Sequence, residues 1–329
     1  MNKDFALIDA NFARAREGFR VLDESARFVL CDHKIFEIIK QLRHRLVGIE
    51  ERIGLHFLSA QEGNDVGETV IGENNHRRSS LYDIIRANSR RVTESLRVLE
   101  EVLKIYRPEI IRECSTMRYR VYEAEAALAR QTPHYYLHRY CARGIVYPLA
   151  ETVEEIIWLV THGARLVQLR DKTSNKIEIE TKIQRLCRAI SEINTLREDK
   201  VLLIINDYPE LAAKYPVAGV HVGQEDGNIS AVRQLVGSNK IIGRSNHSLA
   251  QVRQSVAAGA DYISIGPVYA TPTKAERPPV GLELVRQVAL ESSIPWLAIG
   301  GIDEKTIHEV RAAGAKNVAV VRSGRKFFS

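Results

Sequence analysis

Asp261-Tyr-Ile-Ser-Ile-Gly-Pro-Val-Tyr-Ala-Thr-Pro-Thr-Lys274 reads as a short alternating strand that runs out into a loop carrying two hydroxyls and one ammonium. In α/β folds the loops at the carboxyl ends of parallel strands carry the chemistry. Thr271, Thr273 and Lys274 suit phosphate oxygens, through short hydroxyl donors and a compact positive charge. The stretch points to an anionic small-molecule substrate.

Outward from it, the same grammar repeats from Gly144 onward. Strands are expected at Ile145–Leu149, Leu166–Arg170, Val201–Asn206, Gly219–Val222, Ile241–Ser245, Tyr262–Ile265, Trp296–Ile299 and Asn317–Val321. Helical patterns separate most of them, at Val153–Thr161, Ile177–Ile193, Ala231–Leu235, Leu249–Ala258, Leu282–Leu290 and Glu304–Ala313. Eight β-branched strands with helical crossovers predict a (β/α)8 TIM barrel over 144–329. An open doubly wound sheet is the alternative, but the first strand lacks the GxGxxG turn of a dinucleotide fold.

Residues 1–130 are different. Apolar residues recur at spacings of three and four, and Pro occurs only at Pro108, which predicts an all-α unit. Ala10-Asn11-x-x-Arg14-x-x-Glu17-x-x-Arg20-Val-Leu-Asp-Glu24 returns as Ala87-Asn88-x-x-Arg91-x-x-Glu94-x-x-Arg97-Val-Leu-Glu-Glu101. Arg43-x-Arg45-Leu46 with Glu50 returns as Arg118-x-Arg120-Val121 with Glu125. A duplicated helical hairpin is the simplest account, giving an antiparallel bundle with a pseudo-twofold axis. The polar ridge reads either as a salt-bridged helix face or as an anion site where the copies meet, with Arg14, Arg20, Arg91 and Arg97 as candidates. The long polar connection from Ser59 to Ser80 is expected to be functional or mobile. Residues 131–143 are expected to be a short linker between touching domains.

With 45% apolar and 27% charged residues, the chain has the composition of a soluble globular protein. No apolar run reaches the ~20 residues of a membrane span, and the N-terminus has no signal-peptide core, so a cytoplasmic protein is expected. Cys31, Cys114, Cys141 and Cys187 are scattered with no CxxC, which predicts buried free thiols. The net charge of +6 comes without a basic stripe. Phosphorylated small substrates account for it as well as nucleic acid does, and no nucleic-acid or membrane partner is expected.

Nearly every strand ends in polar residues: Gln168-Leu-Arg170-Asp171-Lys172, Asn206-Asp207, Gly223-Gln224-Glu225-Asp226, Ser245-Asn-His247, Gly300-Gly301 and Val321-Arg322. In a barrel these converge on one face. Acids beside cations at a phosphate site point to Mg²⁺, with Asp207 and Asp226 as ligands. The Gly-Gly turn lets backbone N–H groups approach a phosphate. Two ligands are implied, a metal-bound diphosphate and a separate monophosphate. Each element also has a structural reading: Asp207 and Asp226 as helix caps, the glycines as turn residues, His247 and Glu225 as rim residues.

Six motifs in order, VQLRDK, IINDYPELA, GVHVGQED, IIGRSNHS, GADYISIGPVYATPTK and AIGGI, resemble thiamine-phosphate synthase. The resemblance covers about 166–323. It implies a transferase of thiamine biosynthesis that joins 4-amino-2-methyl-5-hydroxymethylpyrimidine diphosphate to thiazole phosphate, releasing diphosphate. It further implies that Gln168, Leu169, Arg170, Asp171, Lys172, Asn206, Ser245 and Lys274 hold the pyrimidine diphosphate, with Arg170, Lys172 and Lys274 catalytic. Asp207 and Asp226 would carry Mg²⁺, and Thr271, Pro272, Thr273, Gly301, Val321 and Arg322 would hold the thiazole phosphate. The helical half resembles the domain fused ahead of this synthase in cyanobacterial chains, through Leu7–Gly18, Asp65-Val-Gly67 and Met117–Tyr122. That domain is related to hydroxymethylpyrimidine-phosphate kinases. The chain carries no Walker loop or kinase signature from which a kinase follows.

Two departures qualify the resemblance. Gly144–Ala150 lacks the Leu-Tyr-x-x-Thr ending of the family's first strand. After Val321, Arg322-Ser-Gly-Arg-Lys-Phe-Phe-Ser329 is a poor helix start, so the barrel is expected to lack its last helix and to expose apolar surface on strands eight and one. The helical domain or a homodimer partner would then cover it. Two other functions stay open: a non-catalytic binding or regulatory protein of the thiamine pathway, and a paralogue that isomerises thiazole phosphate.

Overall fold

The structure is a computed structural model that describes residues 3–54, 78–272 and 277–328. The chain divides into two compact units, Met1–Thr132 and Pro133–Ser329.

The first unit is a four-helix bundle of α1 (Lys3–Glu24), α2 (His33–Ile53), α3 (Leu81–Tyr106) and α4 (Ile111–Ala129). Asp32 caps α2 by accepting from the Ile35 amide, and Ser80 caps α3 by accepting from the Asp83 amide, each satisfying an otherwise orphaned donor. α1 packs on α3 and α2 on α4, so each helix meets its own repeat. The buried positions of the first hairpin recur in the second: Ile8 with Ile85, Phe19 with Leu96, Leu22 with Leu99, Leu46 with Val121. The packing is complementary rather than identical. Phe12 corresponds to Ser89 and Ala15 to Val92, all buried. A side chain on Gly18 would meet Val92 Cγ2 at 2.6 Å and the Asn88 carbonyl at 3.0 Å, so Gly18 sets the close approach of α1 and α3.

The second unit opens with a helix, α5 (Pro133–Arg143). These residues, expected to be a linker, are instead amphipathic and buried. Tyr136, Leu137, Tyr140 and Cys141 pack with Leu166, Leu202, Ile241 and Leu297 inside the barrel. Tyr140 also donates to the Lys200 carbonyl at 2.6 Å. A run of three tyrosines and a leucine has too much apolar area to stay in water, and the barrel's open end is where it is buried.

The barrel itself closes in sequence order through parallel pairs. Its strands are β1 (Val146–Ala150), β2 (Leu166–Leu169), β3 (Leu202–Asn206), β4 (Gly219–Val222), β5 (Ile241–Asn246), β6 (Tyr262–Ile265), β7 (Trp296–Ile299) and β8 (Val318–Val320). The helices between them are α6 (Val153–Thr161), α7 (Lys176–Thr195), α8 (Pro209–Lys214), α9 (Ile229–Val236), α10 (Leu249–Ala258), α11 (Gly281–Glu291) and α12 (Ile307–Ala312). Helix α8 is the one the periodicity missed, because six residues are too few to show a 3.6-residue repeat.

After β8 the chain forms a 3-10 turn, Gly324–Phe327. Strands β1 and β8 pair with each other and are almost wholly buried, against the expected apolar exposure. Phe327 and Phe328 pack on the core shared with α6, and the Arg325 guanidinium lies 5.0 Å over the Trp158 ring. Two aromatic rings and a cation thus cover the seam between β8 and β1. No helix among the described residues is long and apolar enough to cross a membrane. All four cysteines are free; Cys114 and Cys141 are buried as expected, Cys187 is half-buried and Cys31 is exposed.

Candidate active site

Alternation along the strands assigns every side chain to one of two sides. Leu149, Leu166, Leu202, Ile204, Ile241, Leu297 and Ala319 face inward and pack against α5 or one another. Val167, Leu169, Leu203, Ile205, Val220 and Ile263 face outward into the layer between strands and helices. Toward the carboxyl ends the inward positions turn polar: Gln168, Asn206, His221, Ser245 and Ser264 line a cleft of about 650 Å³.

The same parity sorts the expected site residues. Gln168, Arg170, Lys172, Asn206, Asp207, Asp226 and Ser245 line this cleft, as do Thr271, Pro272, Gly301, Val321 and Arg322. Leu169 and Asp171 do not. Leu169 is in the outer core. Asp171 is buried on the same outer side, where it accepts from the Thr173 and Ser174 amides at 2.9 and 3.1 Å and pairs with Lys182 of α7. Its side chain pins the loop after β2 to α7, so these two residues support the site and do not line it. Burial of Asp171 works against its charge, but the Lys182, Ser174 and amide donors outweigh it and hold the carboxyl well below its ordinary value. Thr273 and Lys274 lie outside the described residues, as does most of the connection expected at 59–80.

Two carboxylates, after the neighbouring strands β3 and β4, lie side by side on the cleft. Asp207 follows β3 with a left-handed backbone (φ 64°), and its amide donates to the His221 carbonyl at 2.9 Å. Asp tolerates this conformation better than most residues. Lys172 Nζ lies 3.0 Å from Asp207 Oδ2. Burial pushes the Asp207 carboxyl above its ordinary value; Lys172 opposes this, and Asp226 adds to it. Asp226 accepts from the Gly223 amide at 2.6 Å. Its loop is clamped by Arg244, which donates to the Gly227 and Gln224 carbonyls at 2.8 and 3.1 Å. Burial lowers the Arg244 pKa, and the Asp226 charge resists the fall.

The expected capping role of Asp207 and Asp226 is not what they do: α8 has no side-chain cap, and α9 is capped by Asn228. Among the described residues no cluster of three or more His, Cys, Asp or Glu could hold a metal by itself. Two neighbouring carboxylates on this cleft fit Mg²⁺, which takes one or two carboxylates and completes its shell with phosphate oxygens and water.

The opposite wall is backbone. Gly300 and Gly301 both have positive φ, at 98° and 69°. A side chain on Gly301 would meet Tyr269 Cβ at 2.6 Å, so only glycine lets the β6 and β7 loops meet here. Arg322 and Ser323 follow β8 on the same wall. Of the expected rim residues, His247 is held by its ring Nδ1 on the Gly266 carbonyl, and Glu225 lies 3.9 Å from Arg277.

In the helical unit, Arg14, Arg20, Arg91 and Arg97 are all exposed, so the duplication does not gather them between its copies. What the copies share is Arg43 with Asp23 at 2.6 Å and Arg118 with Glu100 at 2.9 Å. They diverge at Glu50, paired with Arg16, whose counterparts are Glu125 and Thr93. Burial raises the Glu125 carboxyl, with Arg86 and Arg90 opposing.

A closed parallel barrel with cations, paired carboxylates and a glycine-lined wall at its carboxyl mouth defines an enzyme of the phosphate-handling barrel class. The family profile described as thiamine monophosphate synthase matches residues 142–323, and that of the ThiD2 family matches 6–127. A thiamine-phosphate synthase of Nostoc sp. is 38% identical over 97% of this chain and 89% of its own. One of Synechocystis sp. is 38% identical over 96% and 90%. The solved structure of a thiamine phosphate pyrophosphorylase from Pyrococcus furiosus is 28% identical with a TM-score of 0.50, covering 57% of this chain and 93% of that one. The chain belongs to the thiamine-phosphate synthase family, as a transferase of thiamine biosynthesis with a ThiD2 region ahead of the barrel.

Three residues of the cleft's floor and interior escaped the sequence reading: Tyr147, His221 and Tyr262. The available signal was polar or hydroxylated residues at inward strand positions, where a barrel normally carries branched aliphatics.

Proposed function

We propose that the barrel joins an aminopyrimidine-methyl diphosphate to a thiazole phosphate, with loss of diphosphate from the pyrimidine methylene carbon. The observation that carries this reading is the gathering of Arg170, Lys172, Asp207 and Asp226 on the lining of one cleft that Gly301 and Arg322 also line. Breaking the C–O bond puts positive charge on the electron-rich ring and negative charge on the departing oxygens. Arg170, Lys172 and Lys274 stabilise the departing charge, a contribution of several kcal/mol in such sites. Bound Mg²⁺, on Asp207 and Asp226, would supply neutralisation of the diphosphate. Gln168, Asn206 and Ser245 orient the pyrimidine. Thr271, Thr273, Gly301 and Arg322 hold the thiazole phosphate so that its ring nitrogen meets the carbon. The thiazole nitrogen is itself the nucleophile, so this chemistry needs no activated side chain.

The experiment is a mass-spectrometric product assay with both substrates and Mg²⁺. Thiamine phosphate from the wild type and not from Asp226→Ala is the expected result. No product from folded wild type would overturn the reading in favour of a binding or regulatory role. The ThiD2 match supports a second activity, phosphorylation of hydroxymethylpyrimidine phosphate by residues 1–132. Incubating the full chain with that substrate and ATP should yield the diphosphate; unchanged substrate would leave the barrel reaction alone.

A further inference from the structure

The inward tyrosines and histidine form one continuous hydrogen-bonded chain under the cleft. Gln168 Nε2 donates to the Tyr147 hydroxyl at 2.8 Å. The Tyr147 and Tyr262 hydroxyls are 3.3 Å apart. The Tyr262 hydroxyl is 2.8 Å from His221 Nδ1, and His221 Nε2 is 2.9 Å from Ser245 Oγ. Tyr147, Tyr262 and Gln168 are nearly inaccessible and His221 is 7% exposed. Gly243 makes the room: a side chain there would sit 2.1 Å from the Tyr262 ring.

The direction of this chain follows from donor counting. A side-chain amide nitrogen can only donate, so Tyr147 accepts from Gln168, and its own proton is free for Tyr262. Burial pushes the pKa of both phenols up, so each keeps its single proton. Tyr262 therefore gives its proton to His221 Nδ1. The opposite direction would leave the buried Tyr147 proton without an acceptor among the described contacts, which is costly in a buried site. With Nδ1 accepting, the neutral imidazole carries its proton on Nε2 and donates to Ser245 Oγ. Ser245 has a hydroxyl proton left over, at the cleft. At the other end Gln168 Oε1 is buried and has no partner. A buried acceptor without a partner calls for a donor from outside the chain.

We propose that Tyr147, Tyr262 and His221 are positioning residues that fix the polarity of the cleft floor, presenting Gln168 as an acceptor and Ser245 as a donor. Such a pair suits a flat heteroaromatic ring that carries both an N–H group and a lone-pair nitrogen, as an aminopyrimidine does. An isosteric hydroxyl- or oxo-substituted ring reverses one member and leaves a buried group unpaired. This rests on the pyrimidine reading of the site and adds the device that discriminates within it.

The test has one arm that needs no substrate. With ¹⁵N-labelled histidine, the ring nitrogens of His221 should have the Nε2–H pattern in the wild type and lose it in Tyr262→Phe, which keeps the ring volume. An Nδ1–H or doubly protonated ring in the wild type overturns the proposal, whatever the enzyme's activity. In the kinetic arm, Tyr262→Phe and His221→Leu should each raise KM for the pyrimidine diphosphate about tenfold, one hydrogen bond's worth. KM for the thiazole phosphate should stay unchanged. His221→Gln, whose amide can donate to Ser245, should recover most of the loss. His221→Leu combined with Ser245→Ala should be no worse than Ser245→Ala alone. Additive losses, or equal shifts in both KM values, would mean that these residues only fill the barrel.

Discussion

The two ends of the barrel are built from the same alternating strands and do opposite things. At the amino end, inward Leu166, Leu202, Ile241 and Leu297 close against Tyr136, Leu137, Tyr140 and Cys141 of α5. At the carboxyl end, inward Gln168, Asn206, His221 and Ser245 face a cleft with Arg170, Lys172, Asp207 and Asp226 around it. On β2 to β6 the switch comes within a few residues along the strand, near a layer held by Tyr147 and Tyr262, while β1, β7 and β8 keep apolar Leu149, Ile299 and Val321 at the cleft. A phenol suits that boundary because its ring is apolar and its hydroxyl is not. The comparison teaches that stability and chemistry are segregated along the strand axis, so changes at one end should leave the other largely intact.

The hardest test of that segregation is at the mouth. Arg170→Ala or Lys172→Ala should lower kcat by about 10²–10³-fold, while the urea midpoint stays within the ~0.5 kcal/mol typical of surface changes. A matching loss of stability would break the comparison. At the floor the signs reverse. Leu137→Ala, at a fully buried position, should cost about 2–5 kcal/mol in urea unfolding, with activity per folded molecule retained.

Asp171 tests the boundary, since it holds a mouth loop without lining the cleft. Its carboxyl is depressed in the folded state, so its stabilisation is present above the ordinary carboxylate range and lost as pH falls through the folded value. Asp171→Asn should therefore lose about 1–3 kcal/mol at neutral pH. That difference should shrink steadily in acid, read from paired unfolding curves at several pH values. A pH-independent difference would mean packing, not charge, holds the loop. The smallest effect is expected at neither end. The Arg185–Glu154 pair is more than half exposed on both sides, and Arg185→Ala should change stability by no more than about 0.5 kcal/mol.

Much of this was legible in the sequence because it depends on local spacing. Period two against period 3.6 separated barrel from bundle, and repeated Asn-Arg-Glu-Arg spacing revealed the duplication. Clustering at strand ends was enough to assign Arg170, Asp207 and Asp226 to one cleft. The errors came where burial, not spacing, decides. Residues 131–143 looked like a connection until α5 found an open barrel end to fill. Leu169 and Asp171 stood inside a site motif, yet their parity points them outward. Arg14, Arg20, Arg91 and Arg97 looked like a facing set, but they stay on the exposed side of their helices.

The sequence by itself determined the two units, the eight strands and their order, the internal repeat, and which loops are rich in phosphate-binding groups. These follow from periodicity and from the residue types that each backbone conformation tolerates. The tertiary structure alone decided which neighbours share a wall, how Phe327 and Phe328 cover the seam between β8 and β1, and how Tyr147, Tyr262 and His221 meet beneath the cleft. The physical reason is range. A residue's conformational preference is set by its immediate neighbours along the chain. A hydrogen-bond chain through β2, β1, β6, β4 and β5 exists only once the barrel has closed and water has left its interior.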